Sequence, residues 1–101
     1  MVKITWSPSS INDLKAIHSF IANDSLFHAN KFIKKVIEYS EKLTVFPNLG
    51  KIVKEITDKD IRELLCKPYR IIYKIINAGE IRILAIIHSA RNWNSDDCQF
   101  E

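Results

Sequence analysis

The hydrophobic residues of this 101-residue chain change their spacing once, at Gly50. Before that glycine, most apolar residues recur every three or four positions, as on one face of a helix. After it, they largely alternate with polar residues, as in β-strands. Helical patterns that precede the strands, and do not alternate with them, are typical of an α+β domain. The length fits a single hydrophobic core, so the sequence predicts one α+β domain.

The N-terminal half predicts a short strand followed by a helical hairpin. Residues 2–6 alternate and include β-branched side chains, which favours a first strand. Residues 7–8 are Ser-Pro, the residue types preferred at the cap and the first position of a helix. One apolar stripe then runs to Asn23 and a second covers 26–43. Because the joint between the stripes is so short, we expect two antiparallel helices.

The C-terminal half predicts an antiparallel sheet. Strands are expected over 61–66, 69–76 and 80–88, after an extended segment at 50–56. The loop 77–79 is Asn-Ala-Gly, in which asparagine and glycine tolerate positive φ. The fold expected is therefore α+β: an N-terminal strand and a two-helix hairpin packed on one face of a small antiparallel β-sheet.

Strict alternation assigns the side chains of the last two strands to opposite faces of the sheet. The face under the helices is expected to hold Tyr69, Ile71, Tyr73, Ile75, Ile81, Ile83, Ala85 and Ile87. The other face, expected to be open to solvent or a partner, would hold Arg70, Ile72, Lys74, Ile76, Arg82, Leu84, Ile86 and His88. Since the strands are antiparallel, Arg70, His88 and Arg91 should gather at one end of the sheet.

This cluster, with Glu63 on the neighbouring strand, holds the groups needed for metal-free RNA cleavage. His88 is a candidate proton donor, and Glu63 is a candidate proton acceptor. Arg70 and Arg91 are candidate phosphate ligands. The alternative is that the charged residues form surface ion pairs and that His88 only ends a strand. A second open alternative concerns Trp93, which either contacts a partner or packs against the sheet edge.

Charge is unevenly distributed along the chain. Three of the 12 acidic residues lie in the last six positions, so residues 1–94 hold 15 basic and 9 acidic side chains, a net charge of +6. Such a surplus attracts polyanions or an acidic protein partner. We expect the domain to span 1–94 and to be followed by a short acidic tail at 95–101.

Several functional classes have no support in the sequence. No apolar run approaches the roughly 20 residues of a membrane span, and residues 1–10 contain no secretory h-region. A cytoplasmic location with reduced Cys66 and Cys98 is therefore expected. No phosphate loop or metal-ligand spacing is present, so neither a cofactor nor a metal is predicted.

Four segments resemble the ParE/RelE toxins of bacterial type II toxin–antitoxin systems. They are FPNLGK (46–51), IREL (61–64), PYRIIYKI (68–75) and ILAIIHSAR (83–91). They follow Trp6-Ser7, Asp13-Leu14 and Ile17, and the resemblance covers about residues 2–93. The resemblance implies a two-helix hairpin on a small sheet. It also implies a cognate antitoxin that wraps and silences the toxin in a hetero-oligomer, and a role in growth arrest and plasmid stabilisation.

The superfamily contains two activities. RelE-like members cut mRNA on the ribosome, with basic residues on the sheet and a tyrosine or histidine near the C-terminus. ParE-like members poison DNA gyrase and lack a complete nuclease set. Arg70 and Arg91 match functional arginines of RelE-like enzymes, but no tyrosine follows Arg91, and segment 61–65 has one arginine where RelE has lysines. The HSAR ending and the long second helix are more similar to ParE.

The resemblance therefore favours a ParE-type inhibitor of gyrase with no catalysis of its own. Its expected target-binding residues are Arg62, Arg70, Arg91 and Trp93. The alternative is a RelE-type, ribosome-dependent mRNA endoribonuclease with the catalytic set Glu63, Arg70, His88 and Arg91. A third alternative is a degenerate member that retains only antitoxin or regulatory binding.

Overall fold

The structure, a computed structural model, describes residues 1–93. Its elements are β1 Lys3–Trp6, α1 Pro8–Ala22, α2 Leu26–Glu41, a 3₁₀ turn Lys42–Thr44, β2 Lys51–Ile52, β3 Ile61–Cys66, β4 Tyr69–Asn77 and β5 Glu80–His88. The predicted helices and the last three strands are confirmed, whereas 50–56 is a strand only in β2. The predicted acidic tail at 95–101, including Cys98, lies outside the described residues. Within the described part, each helix is too short or too polar to cross a membrane.

Both helices begin at serine caps. The Ser7 hydroxyl accepts a hydrogen bond from the Ser10 N–H at 3.0 Å, and Pro8 occupies the first turn. Ser25 caps α2 in the same way through the His28 N–H at 3.1 Å. A cap of this kind contributes about 1 kcal/mol to helix stability. The capping at Ser7 confirms the predicted start of α1.

The sheet has five strands in the order β1-β5-β4-β3-β2. Neighbours among β2 to β5 are antiparallel, but β1 runs parallel to β5, with Lys3 opposite Glu80 and Trp6 opposite Ile83. The long stretch between β1 and β5 supplies the crossover that parallel pairing requires. The α+β fold with a helical hairpin on one face is thus confirmed, although its sheet is mixed. The predicted hairpin loop at 77–79 is confirmed, although none of its residues adopts a positive φ.

A β-bulge in β5 inverts the side-chain alternation of its second half. Ile72 pairs with Ala85 while Tyr73 pairs with Ile83, so Leu84 is an extra residue in the ladder. Beyond the bulge, Ile86 packs in the cluster under the helices and Ile87 in the cluster on the opposite face. The predicted faces of Ala85, Ile86, Ile87 and His88 are therefore wrong. Strict alternation holds only where no residue is inserted.

The start of α1 holds the bulged strand from outside the sheet. The Ser7 hydroxyl donates to the Leu84 carbonyl at 3.0 Å, and Asp13 Oδ2 accepts from the Ile86 N–H at 2.9 Å. Both backbone groups lie beyond the end of β1, where β5 has no strand on that side. A buried backbone group without a partner is costly, so these side chains complete the hydrogen bonding of the edge.

Two apolar clusters pack on the two faces of the sheet. The cluster under the helices contains Ile17, Val36, Leu43, Cys66, Ile71, Tyr73, Ile81, Ile83 and Ile86. The second cluster contains Val53, Ile61, Ile72, Leu84, Ala85, Ile87 and Trp93, with Ile56 packed against it. The second face was predicted to be open, which is wrong at this end, because residues 53–56 and Trp93 cover it. The charged residues of that end therefore lie partly beneath a covering segment.

Candidate functional site

Arg70 is the most buried of the predicted site residues that carry a charge. It is the second residue of β4, lies on the face of the second apolar cluster and is 7% exposed. Its Nη2 lies 2.7 Å from Glu55 Oε2, and its Nη1 lies 3.0 Å from Glu63 Oε2. Arg70 Nη1 also makes one longer contact to each carboxylate, 3.4 Å to Glu55 Oε1 and 3.3 Å to Glu63 Oε1. The guanidinium is therefore enclosed by two carboxylates, and it does not project from the sheet toward solvent.

The charges of this cluster stabilise one another. The hydrogen bond from Arg70 lowers the pKa of Glu55 to about 2, from its ordinary value of 4.5. The same hydrogen bond raises the pKa of Arg70, with a smaller contribution from Glu63. One guanidinium and two carboxylates give the cluster a formal charge of −1. The guanidinium of Arg70 is thus engaged by two carboxylates, whereas a phosphate was predicted as its ligand.

The same cluster binds the backbone of the segment after β5. Arg70 Nη2 donates to the carbonyl oxygen of Arg91. Glu55 Oε2 accepts from the Trp93 N–H at 2.8 Å. Trp93 is 3% exposed and packs in the second apolar cluster. Of the two alternatives for Trp93, the structure shows the one in which it packs against the sheet. The buried ring is therefore not exposed for the target contact that was predicted.

His88 lies on the opposite face of the sheet from Arg70. It pairs with Tyr69 across the ladder, and the two rings meet edge to face with centroids 5.8 Å apart. Its Nδ1 accepts from the Ala90 N–H at 3.1 Å. Adjacent strand residues point to opposite faces, so Arg70 points away from this pair. The bulge thus separates His88 from the site it was predicted to join.

Arg62 also lies apart from the Arg70 cluster. Its Nη1 donates to the Gly50 carbonyl at 3.0 Å. Gly50 is further held by Tyr73, whose hydroxyl accepts from the Gly50 N–H and donates to Pro47 O, both at 2.9 Å. A Cβ on Gly50 would lie 2.6 Å from the Glu63 carbonyl, so this loop requires glycine. Arg62 therefore holds the loop before β2 in place.

Arg91 keeps an exposed side chain at the end of the sheet. It lines a cavity of about 200 Å³ between the first turns of α1 and the end of β5. The other lining residues are Ser9, Asn12, Asp13, Ala85, Ile87 and Trp93. Arg91, one of the predicted target-binding residues, is thus in contact with both a polar cavity and solvent. The predicted convergence of Arg70 and Arg91 is confirmed, but it occurs through the Arg91 backbone.

Glu55 is the principal site residue that sequence reasoning missed. It lies in a segment that was predicted to be extended, and nothing in its neighbours indicates that this segment crosses the face of the sheet. Asp13 was likewise not identified as the residue that holds the bulge. Both act through contacts distant in the chain, and local patterns carry no information about such contacts. Among residues 1–93, no group of three or more His, Cys, Asp or Glu could hold a metal ion.

The arrangement does not bring together the groups that RNA cleavage requires. A nuclease needs an acid, a base and an available cation around one phosphate. Here the central cation, Arg70, is paired with Glu63, the predicted base, and with Glu55. His88, the predicted acid, lies on the other face. The Arg91 side chain is exposed and lines the cavity at the end of β5.

Comparisons with known proteins agree on the type of protein. The family model described as "ParE toxin of type II toxin-antitoxin system, parDE" matches residues 4–93. Toxin RelE2 of Caulobacter vibrioides is 25% identical over 91 residues, which cover 90% of this chain and 99% of that protein.

Two solved structures share the fold. A chain of the chromosomal ParDE TA system from P. aeruginosa has a TM-score of 0.72 at 22% identity, covering 87% of this chain and 96% of that one. A chain of the YoeB dimer from Staphylococcus aureus has a TM-score of 0.61 at 22% identity, covering 86% and 95%.

Proposed function

The chain belongs to the ParE toxin family of type II toxin–antitoxin systems, and from that premise we propose that it is a ParE-type inhibitor of DNA gyrase. It would bind gyrase, arrest growth without catalysing a reaction of its own, and be neutralised by a cognate antitoxin in a hetero-oligomer. Gyrase acts in the cytoplasm, so a cytoplasmic location is part of the same proposal.

The observation that carries the proposal is the enclosure of Arg70 by Glu55 and Glu63. Stabilising the charge that develops on a phosphate requires a cation already aimed at that charge. To reach a phosphate, Arg70 would have to leave two carboxylates, and separating a largely buried ion pair costs several kcal/mol. The enclosed guanidinium therefore supports a toxin that acts by binding and argues against the nuclease alternative.

The position of His88 supports the same conclusion. General acid–base catalysis requires groups within about 2.6–3.2 Å of the protons they transfer. The His88 ring accepts a hydrogen bond from the Ala90 N–H and meets Tyr69 edge to face, on the face that carries the helices. Glu63 lies on the other face, paired with Arg70. A single phosphate could not contact both without a rearrangement of β5.

The surface of the domain suits an acidic, amphipathic antitoxin segment. Residues 1–94 carry a net charge of +6. Most of the exposed large apolar side chains lie in two places. The tip of the helical hairpin has Phe20, Leu26 and Phe27, and the loop and strands near β2 have Val45, Phe46, Leu49, Ile52 and Leu65. Apolar patches of this kind on a basic protein favour a partner segment that folds on binding and carries negative charge.

The ribosome is the rival target, because one relative is named Toxin RelE2. The two targets are separated by adding the purified protein to a gyrase supercoiling reaction and to ribosomes translating a defined message. We expect supercoiling to be inhibited and the message to stay intact. Arg91→Ala should weaken gyrase inhibition, and Lys74→Ala is the matched control, since Lys74 is a cation paired with Asp58 at the hairpin end of β4. Message cleavage with unaffected gyrase would reject the proposal.

A further inference from the structure

We propose that Arg70 and Glu55 form a clasp that positions the segment Arg91–Trp93, and thereby places the Arg91 side chain at the binding surface. Arg70 and Glu55 are positioning residues in this account, and they do not contact the target. The inference rests on the proposed function only in assigning Arg91 to target binding. The clasp itself is independent of which target the toxin has.

The clasp consists of two side chains, Glu55 and Arg70. The atoms that bond the two side chains to each other also bond the backbone of the segment Arg91–Trp93. Glu55 Oε2 accepts from Arg70 Nη2 at 2.7 Å and from the Trp93 N–H at 2.8 Å. Arg70 Nη2 also donates to the Arg91 carbonyl. The backbone is therefore held at two points that are two residues apart. Because both points are held, the segment cannot pivot about either hydrogen bond alone. Its path across the sheet is therefore fixed.

Apolar packing joins the same two parts of the chain. Val53 and Ile56, which flank Glu55, belong to the second apolar cluster or pack against it, and Trp93 is a buried member of that cluster. A buried N–H without an acceptor costs free energy, and Glu55 supplies the acceptor that the Trp93 N–H needs. The carboxylate therefore satisfies the backbone N–H of the residue whose indole is buried in the cluster.

The position of Arg91 depends on the clasp because β5 has already ended. The last residue of β5 is His88, and the Arg91 N–H donates to the His88 carbonyl at 3.0 Å in the turn that follows. From this turn the Arg91 side chain reaches the cavity beside Asn12 and Asp13. The sheet ladder does not extend to this segment, and the Arg70 and Glu55 contacts hold its backbone together with the turn hydrogen bond to His88.

Glu63 provides a matched control within the same cluster. Like Glu55 it pairs with Arg70, and the two carboxylate side chains are equally exposed at 19%. Its hydrogen bonds go to Arg70 Nη1, whereas the Trp93 N–H is bonded to Glu55. If the cluster acts only as a general structural support, removing either carboxylate should affect Trp93 equally. If it acts as a clasp, of the two carboxylates only the loss of Glu55 should release Trp93.

The test is hydrogen exchange of the Trp93 backbone amide in the full chain, measured by NMR. We expect Glu55→Ala to lower the protection of this amide about tenfold or more, equivalent to about 1.4 kcal/mol. Glu63→Ala should leave it protected relative to core amides of β4, which correct for any global loss of stability. If Glu55→Ala does not fold, Arg70→Met provides the second variant and should also release Trp93. Equal protection in the Glu55 and Glu63 variants would overturn the proposal.

A second measurement separates this inference from the proposed function. Arg91→Ala should weaken gyrase inhibition while the Trp93 amide stays protected, because the Arg91 carbonyl and the Glu55 contact are retained. Glu55→Ala should weaken inhibition and release Trp93 together. A toxin that never inhibits gyrase would reject the function yet leave the exchange result in place. Full inhibition by a Glu55→Ala protein with a released Trp93 would instead show that the clasp does not position Arg91.

Discussion

Replacing Arg70 by methionine tests whether this residue stabilises the fold or is kept for contact with a ligand. The substitution would leave Glu55 and Glu63 close together with no cation between them, and the Arg91 carbonyl would lose its donor. Removing one partner from a buried ion pair typically costs about 3–5 kcal/mol. Because the carboxylates are partly exposed, we expect the lower end, about 3 kcal/mol. At this chain length that corresponds to a fall in Tm of about 12 to 24 °C.

The dependence of stability on pH gives an independent measure of the same contact. The folded-state pKa of Glu55 is about 2 and its ordinary value is 4.5. Because the pKa is lowered on folding, this contribution is fully present above about pH 4.5 and is lost as the pH falls toward 2. The shift corresponds to about 3 kcal/mol at neutral pH. In Arg70→Met, whose Glu55 has lost its main partner, much of this loss between pH 4.5 and 2 should disappear.

The assay is equilibrium unfolding in urea at pH 7 and at pH 3 for the unmodified protein and for Arg70→Met. Lys74→Met is the matched control, because its ion pair with Asp58 is 3.3 Å long with both side chains 39% exposed. Such a pair contributes about 0–1 kcal/mol. If Arg70→Met changes the free energy of unfolding by no more than this control, Arg70 is not a structural residue, and the case against a nuclease site loses its basis.

Three further changes test other parts of the structure. Gly50→Ala should destabilise the protein by about 2 kcal/mol or more in urea unfolding, since the new Cβ would lie 2.6 Å from the Glu63 carbonyl. Asp13→Ala should cost about 1–3 kcal/mol by the same assay, because the Ile86 N–H loses its acceptor. Its neighbour Asn12→Ala should stay within about 0.5 kcal/mol. Similar values for the Asp13 and Asn12 variants would contradict the role of Asp13 at the bulge.

The elements of the fold were predictable because their signals are local. A serine followed by proline marks the start of α1, and apolar spacing distinguishes the helices from the strands. The bulge was not predictable, because the side chains that hold it, Ser7 and Asp13, are more than 70 residues away in the chain. One inserted residue was enough to move His88 to the other face.

The candidate site was predicted only in part, because local signals again gave some of its contacts and contacts between distant residues gave the others. Antiparallel pairing correctly placed Arg70 near Arg91, since that proximity follows from the hairpin itself. The partner that determines the role of Arg70 is Glu55, which reaches it from a segment whose path across the sheet has no local signal. Charge type alone could not distinguish an arginine that binds phosphate from one that binds carboxylates.

The central claim, a toxin that acts on gyrase by binding, is tested most directly by one titration. The unmodified protein and His88→Ala are added at equal concentrations to a gyrase supercoiling reaction, with message integrity on translating ribosomes measured in parallel. The account predicts that both proteins inhibit supercoiling to the same extent and that the message stays intact. Cleavage of the message by the unmodified protein, reduced about 10²–10⁴-fold in His88→Ala, together with fully active gyrase, would contradict it.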